Sequence, residues 1–298
     1  MHADAGLELG FRDVESEVSD RVLPLEGTIP DWLTGMFVRN GPGRFAVGDS
    51  RVDHWFDGLA MLQRFGFDGE TVRYTNRLLR SEAYQRANKT GEIDGQFATG
   101  GGYLNRLWSL LRGQDTDNCN VHVARIAGDL IALTEVPTFR AIDPSTLETR
   151  GSFTFDDDLD GHLSMAHLVP DPHRSETIGL LTAFGRTSQY RLFRVPDGSR
   201  TRHEIASIPA TKPAYIHSIA VAGDHIVLTE HPFRIDPVSF LTPGGDGFID
   251  HVNWEPERGT RFYVIHRESG RIVATHEAAP LFVFHHVNAF ETVADGQK

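Results

Sequence analysis

Histidine is the residue type whose number and placement in this sequence point to chemistry. The chain has 15 histidines in 298 residues, and three of them lie in or beside β-rich segments: His167, His217 and His285. A neutral imidazole nitrogen is a common ligand of iron, zinc, copper and nickel. The three are far apart in sequence, so separate structural units could each supply one ligand to a shared metal ion. No local pair at i and i+4 on one helix, as in zinc peptidases, is present.

The third histidine is ambiguous because His285 and His286 are adjacent. Neighbouring side chains of a β-strand point to opposite faces, so only one of the two can face a shared ion. If one ion is shared, the three imidazole nitrogens should lie about 3 to 3.5 Å apart.

The composition narrows the class of protein. Hydrophobic residues make up 40% and charged residues 23%, which is typical of a packed globular domain, and the formal net charge of −12 disfavours nucleic acid as a partner. Cys119 is the only cysteine, which excludes an intrachain disulfide and a thiolate metal cage. An acidic N-terminus and the lack of an apolar run of about 18 residues predict a cytoplasmic protein without a signal peptide or membrane-spanning helix.

Short apolar or β-branched runs between turn residues predict an all-β fold. The predicted strands are 35–38, 121–126, 130–134, 178–182, 190–195, 226–229, 262–265 and 282–284. Turn dipeptides such as those at 128–129, 143–144, 197–198 and 223–224 fit hairpins between these strands.

An internal repeat favours a β-propeller over a β-sandwich. Residues 127–137 contain Ala-Gly-Asp, then Leu-Thr-Glu, then Pro, and the same residues recur 95 positions later in 222–232. This offset is close to two four-stranded blades of about 40 to 50 residues each. The alternative is a chance match of common turn residues.

One segment departs from the β pattern and is predicted to be a short helix over residues 103–112. Its apolar face comprises Leu104, Leu107, Trp108 and Leu111, with Tyr103 beside them. This face could dip into a membrane interface or pack on the propeller as ordinary core, and periodicity does not distinguish the two.

The chain resembles the carotenoid cleavage oxygenase family through six motifs that occur in the family's order. They are residues 35–43, 54–58, 116–118, 165–172, 214–218 and 284–291. The similarity extends from about residue 27 to the C-terminus, and residues 56–61 are more similar to the animal carotene oxygenases than to the plant enzymes.

The resemblance implies a seven-bladed β-propeller in which four histidines bind Fe(II), with short helices in the roof of an apolar substrate tunnel. His167, His217 and His285 correspond to three of the ligands. His285 is preferred to His286 because it lies three residues before Asn288, as in the family motif.

The resemblance also assigns a role to Glu135, at the family position that accepts the second N–H of the ligand His217. Its alternative role is that of a solvated glutamate at a strand end, while the repeat counterpart Glu230 is interpreted as structural. The family's fourth histidine and closing blades are expected beyond Lys298, so residues 1–298 are predicted to form a single, truncated propeller domain.

The implied activity is that of a dioxygenase, which uses dioxygen to cleave a conjugated double bond of a carotenoid or apocarotenoid to carbonyl products such as retinal. Two alternatives stay open. The chain could be similar to the visual-cycle isomerohydrolase that acts on a retinyl ester, or it could be an inactive truncated propeller.

Overall fold

The computed structural model describes residues 5–93, 116–239 and 248–292. Within these ranges the chain is mostly β, with 21 strands in antiparallel sheets, which confirms the predicted fold class at that level. The chain divides into two compact units: unit 1 comprises residues 1–134 and 138–154, and unit 2 comprises 135–137 and 155–298. A single propeller domain over residues 1–298 stays a prediction.

Unit 1 contains two four-stranded sheets and a small hairpin. Its elements are α1 (Ala5–Leu9), β1 (Val18–Val22), β2 (Thr34–Arg44), β3 (Ala46–Val47), β4 (Ser50–Arg51), β5 (Leu59–Asp68), β6 (Val72–Leu78), α2 (Glu82–Thr90), β7 (His122–Ile126), β8 (Asp129–Leu133), β9 (Phe139–Ile142) and β10 (Thr149–Phe153). The strand orders are β1-β6-β5-β2 and β10-β9-β8-β7, and β3 pairs with β4. A short 3-10 helix, Trp55–Asp57, precedes β5.

Unit 2 contains two larger sheets and one hairpin. Its elements are β11 (Leu163–Ser164), β12 (Val169–Asp171), β13 (Glu176–Ala183), β14 (Ser188–Pro196), β15 (His203–Ala210), β16 (Ala220–Ala222), β17 (His225–Glu230), β18 (Phe233–Ile235), β19 (Val252–Trp254), β20 (Thr260–His266) and β21 (Ile272–Ala278). The orders are β11-β13-β14-β15, with β12 also on β13, and β16-β17-β20-β21, while β18 pairs with β19. Two 3-10 helices, Phe248–His251 and Pro256–Arg258, flank β19.

The 95-residue repeat corresponds to equivalent hairpins in two sheets. β8 follows β7 through the two-residue turn Ala127-Gly128, in which both φ angles are positive. Such a turn matches the twist of a hairpin and favours glycine. β17 follows β16 through Gly223-Asp224, and β17 holds the same place in its sheet as β8 does. One complete sheet, β11 to β15, lies between the two hairpins in sequence. This order is expected if each 95-residue repeat spans two sheets.

The core of unit 2 explains why its central strands were predictable. β13 is buried on both faces over most of its length, and its residues 178–181 form a short apolar run. On β14, Tyr190 and Leu192 are completely buried and pack with Ile226 and Leu228 of β17. Each aliphatic side chain buried in this way stabilises the fold by about 1.5 to 3 kcal/mol.

Two motifs of unit 1 have structural roles. The carboxylate of Asp117 accepts hydrogen bonds of 2.7 Å from the first two backbone N–H groups of α2. The Asn118 amide donates to the carbonyl of Gly58 and accepts from the N–H of Ala60, both at 2.9 Å. A Cβ at Gly58 would lie 2.7 Å from the ring of Phe45, so only glycine fits. Residues 54–58 and 116–118 thus hold each other in place.

One predicted strand is absent from the described residues, and one predicted helix cannot be compared with the structure. The predicted strand at 282–284 is wrong, because residues 279–292 form no strand and pair with none of the strands that the structure describes. The predicted helix, with Tyr103, Leu104, Leu107, Trp108 and Leu111, lies outside the described residues, so its membrane contact stays a prediction. Among the helices that are described, none has the length and apolar character needed to cross a membrane.

Candidate metal centre

Three predicted ligands, His167, His217 and His285, come together in unit 2. One imidazole nitrogen of each lies within 4.8 Å of those of the other two. The ring centroids are 4.6, 4.8 and 4.9 Å apart. His217 is buried, His167 is half-buried and His285 is exposed. The structure therefore gathers side chains that are 118 residues apart in sequence.

None of the three histidines lies inside a strand. His167 lies in the connection between β11 and β12, where the backbone N–H of Met165 donates to the carbonyl of Leu180. His217 lies just before β16, in a stretch that Tyr215 joins to β18 through a backbone hydrogen bond. His285 lies in the irregular segment after β21. The strands fix the ends of these connections, and the connections carry the ligands.

The choice between His285 and His286 is made by hydrogen bonding. Both ring nitrogens of His286 have partners, with Nδ1 at 3.0 Å from Ser218 Oγ and Nε2 at 2.9 Å from Thr229 Oγ1. His285, by contrast, belongs to the three-histidine cluster. Partial desolvation and the neighbouring His217 lower the pKa of His285, which favours the neutral imidazole that a metal ion needs.

The side chain of Glu135 contacts the ring of His217. Glu135 is 4% exposed, and its Oε1 is 2.7 Å from His217 Nδ1. A proton held on Nδ1 by a carboxylate leaves Nε2 with a free electron pair for a metal ion. Burial raises the pKa of Glu135, and the interaction with His217 opposes that change. The predicted proximity of Glu135 and His217 is thus present in the structure.

Tyr215 is a neighbour of this pair that the sequence did not single out. Its hydroxyl oxygen is 3.3 Å from His217 Nδ1. Burial and the nearby charge of Glu135 raise its pKa well above the usual value, so the hydroxyl stays protonated. Tyr215 lies two residues before His217, and this closeness in sequence was its only signal.

Glu230, the repeat counterpart of Glu135, has a different environment. It is buried and pairs with Arg234 at 2.8 Å, and it accepts a hydrogen bond of 3.0 Å from the hydroxyl of Tyr190. Its charge is therefore balanced by an arginine within the core of unit 2. This environment suits the structural role expected of it.

The cluster is consistent with a metal site. Three imidazoles suit Fe(II) and other first-row divalent ions. A ring centroid lies about 3.2 Å from a bound ion, so two rings at right angles about that ion are about 4.5 Å apart. The observed centroid separations of 4.6 to 4.9 Å are close to this value.

Comparison with known proteins gives matches along nearly the whole chain. The family described as retinal pigment epithelial membrane protein matches residues 11–297. The β,β-carotene 15,15′-dioxygenase of Gallus gallus is 30% identical over 90% of this chain and 56% of its own length. The chloroplastic carotenoid cleavage dioxygenase 8 of Arabidopsis thaliana is 31% identical over 97% of this chain and 53% of its own. The mitochondrial carotenoid-cleaving dioxygenase of Macaca fascicularis is 32% identical over 89% and 52%.

Solved structures give a similar result. A variant of the Synechocystis apocarotenoid oxygenase matches with a TM-score of 0.82 and 25% identity, over 95% of this chain and 60% of that chain. A cobalt-substituted form of the same oxygenase matches with a TM-score of 0.81. The chain spans about half the length of the curated relatives it matches. Two of those relatives are named as mitochondrial or chloroplastic, and the cytoplasmic location of this chain stays a prediction.

Proposed function

Because the chain belongs to the carotenoid cleavage oxygenase family, we propose that it forms the part of an Fe(II)-dependent dioxygenase that supplies three of its iron ligands. The substrate class is a carotenoid or apocarotenoid with a conjugated double bond, as the names of the similar proteins suggest. The observation that carries the proposal is the convergence of His167, His217 and His285, with Glu135 Oε1 2.7 Å from Nδ1 of His217.

The fold proposal follows the same resemblance. Each larger sheet has four principal antiparallel strands, which is the form of a propeller blade. We propose that the four sheets are blades of a seven-bladed propeller. The remaining blades and a fourth histidine ligand would then belong to the part of the relatives' length that this chain does not span.

The chain's own residues would prepare the site for this reaction. An Fe(II) ion bound by the three histidines would activate dioxygen for attack on the alkene. Glu135 would keep the proton on His217 Nδ1, so that Nε2 keeps its free electron pair for the metal ion. The ring of Phe284 lies 4.2 Å from that of His217, and Phe282 lies next to Phe284, which gives the surroundings of the cluster an apolar character suited to a polyene.

Metal analysis tests the site. After reconstitution with Fe(II) without oxygen, we expect about one iron per chain in the natural sequence and strongly reduced loading in His167→Ala, His217→Ala and His285→Ala. His276→Ala is the matched control, because His276 is an exposed histidine of β21 that does not belong to the three-histidine cluster. Iron-free natural protein, or equal loading in all four variants, would reject the site.

Product analysis tests the reaction. Iron-loaded protein should convert a carotenoid or apocarotenoid to carbonyl products that carry ¹⁸O from labelled dioxygen. Consumption of a retinyl ester without label from dioxygen would favour the isomerohydrolase alternative. Turnover of neither substrate by iron-loaded protein would favour an inactive chain.

A further inference from the structure

Residues 281–292 carry His285 although they have no regular secondary structure. Nothing in a β-ladder therefore fixes the position of this ligand. A metal ligand needs its ring held within a few tenths of an ångström, and a segment without ladder hydrogen bonds moves readily. Side-chain contacts must supply the missing restraint.

The hydroxyl of Ser218 supplies it. Ser218 Oγ donates to the carbonyl of Phe284 at 3.0 Å and accepts from the backbone N–H of His286 at 2.9 Å. It also lies 3.0 Å from His286 Nδ1. These contacts hold the backbone on both sides of His285. Ser218 itself is 8% exposed and directly follows the ligand His217.

The hydrogen-bond inventory fixes the protons in this cluster. A serine hydroxyl has one hydrogen, and Ser218 gives it to Phe284, so His286 Nδ1 must be the donor to Ser218 Oγ. A neutral His286 with its proton on Nδ1 then accepts at Nε2 from the hydroxyl of Thr229, which is 2.9 Å away and 1% exposed. All polar atoms of the three side chains are then used consistently.

We propose that Ser218 and His286 are positioning residues that hold His285 against His217. Ser218, which directly follows His217, binds the two residues that flank His285 through one oxygen atom, and His286 anchors the same segment to β17 through Thr229. This inference rests on the proposed metal site for its purpose, although the hydrogen-bond arrangement exists without the metal ion.

The arrangement itself is tested in protein without metal. In spectra of ¹⁵N-labelled histidine side chains, His286 should be the neutral tautomer with its proton on Nδ1, and Thr229→Val should alter its Nε2 signal. The backbone N–H of His286 should exchange with solvent about tenfold faster or more in Ser218→Ala than in the natural protein. A proton on Nε2, or unchanged exchange in Ser218→Ala, would overturn the proposal.

The positioning role is tested with Co(II) as the probe. Ser218→Ala should bind Co(II) about 10- to 100-fold more weakly and change the visible absorption bands of the bound ion, because one histidine is no longer held in place. Ser218→Thr, which keeps the hydroxyl, should restore both affinity and spectrum. Ser207→Ala is the matched control, since the hydroxyl of Ser207 lies at the surface of β15 and donates to Gln189.

The outcomes separate this proposal from the proposed function. Natural protein that binds Co(II), together with a Ser218→Ala variant of equal affinity and spectrum, would overturn the positioning role and leave the metal site intact. Natural protein that binds no Co(II) would overturn the metal site and with it the purpose assigned to Ser218. If Ser218→Ala does not fold, the tautomer of His286 in the natural protein still decides whether the arrangement exists.

Discussion

Hydrogen-bond partners distinguish histidines that are close in sequence but differ in role. The buried carboxylate of Glu135 lies beside Nδ1 of His217. It makes the other ring nitrogen a stronger electron-pair donor to a metal ion. His286 has neutral hydroxyls on both nitrogens and can serve only as a structural bridge. The difference lies in groups that come from other parts of the chain.

The charge of Glu135 can be tested by Glu135→Gln. The amide keeps the size of the side chain and can still accept from His217 Nδ1, but it removes the negative charge that strengthens His217 as a donor. We expect Fe(II) or Co(II) affinity to fall by about 10- to 100-fold with the fold intact, measured by competition with a chelator.

Glu230→Gln is the matched control for this experiment. It removes a buried carboxylate that balances Arg234, so it should lower the free energy of unfolding while leaving metal affinity unchanged. Equal metal affinity in the natural protein and in Glu135→Gln would contradict the role of Glu135.

His231 makes stability depend on pH. It is 1% exposed, and burial lowers its pKa from 6.5 to about 4; a hydrogen bond with the backbone of Tyr215 and the charge of Glu230 oppose this change, while Arg234 and His286 add to it. In the unfolded chain this histidine takes up a proton near pH 6.5. Stability is therefore full above pH 6.5 and is lost as the pH falls towards 4.

The size of this effect follows from linkage. His231 alone should account for a loss on the order of 3 kcal/mol between pH 6.5 and 4. Urea unfolding of the natural protein and of His231→Gln at pH 7, 5.5 and 4 measures it, and the variant should lose less stability over that range. Parallel pH profiles of the two proteins would refute the assignment.

At the scale of elements, the sequence predicts what local patterns determine. The predicted strands 178–182 and 190–195 lie within β13 and β14, because their apolar runs end at turn residues. The segment 282–284 has a similar pattern, but none of the strands in the described residues pairs with it, and local propensity alone does not form a strand. Strand pairing depends on residues that are distant in sequence, and local β-propensity carries no information about them.

In the candidate site, too, some residues were predictable from the sequence and others were not. The three histidines and Glu135 were predictable because they belong to recognisable motifs. Tyr215 and Ser218 were not assigned, because their roles depend on Glu135 and on the segment 284–286, which are 66 residues or more away from them in sequence. Hydroxyl partners of this kind become visible only when the chain is folded.

Arg267 connects the two larger sheets of unit 2. Its guanidinium is 1% exposed and contacts Asp171 at 2.6 Å, Glu176 at 2.5 Å and the carbonyl of Gly223 at 3.0 Å. Arg267→Met should lower the free energy of unfolding by about 3 to 5 kcal/mol, because it leaves two carboxylates without their buried counter-charge. Urea denaturation at pH 7 measures the loss.

A surface pair provides the comparison for Arg267. Arg261 contacts Glu277 at 3.1 Å with both side chains exposed, so Arg261→Met should cost less than about 1 kcal/mol. A similar loss in both variants would show that burial does not determine how much the ion pairs of Arg267 contribute to the free energy of unfolding.

At the scale of the whole molecule, the candidate site belongs to one of the two units. His167, His217 and His285 all lie in unit 2, and residues 135–137, which include Glu135, belong to the same unit although unit 1 residues flank them in sequence. A metal ion that binds the folded site stabilises the part of the protein that must be folded to form it. The effect of metal on local stability should therefore differ between the units.

Hydrogen exchange measured by mass spectrometry tests this difference. At a Co(II) concentration about 100 times Kd, linkage predicts a stabilisation of about 2.7 kcal/mol, so amides that exchange only when the site opens should slow by about 100-fold. We expect this slowing in residues 214–222 and most of all in 281–292, which lack ladder hydrogen bonds. Peptides from β2, β5 and α2 of unit 1 should be unaffected, and in His285→Ala the effect on 281–292 should disappear. Equal slowing in both units, or no slowing in 281–292 while Co(II) is bound, would show that the ion does not bind at these histidines.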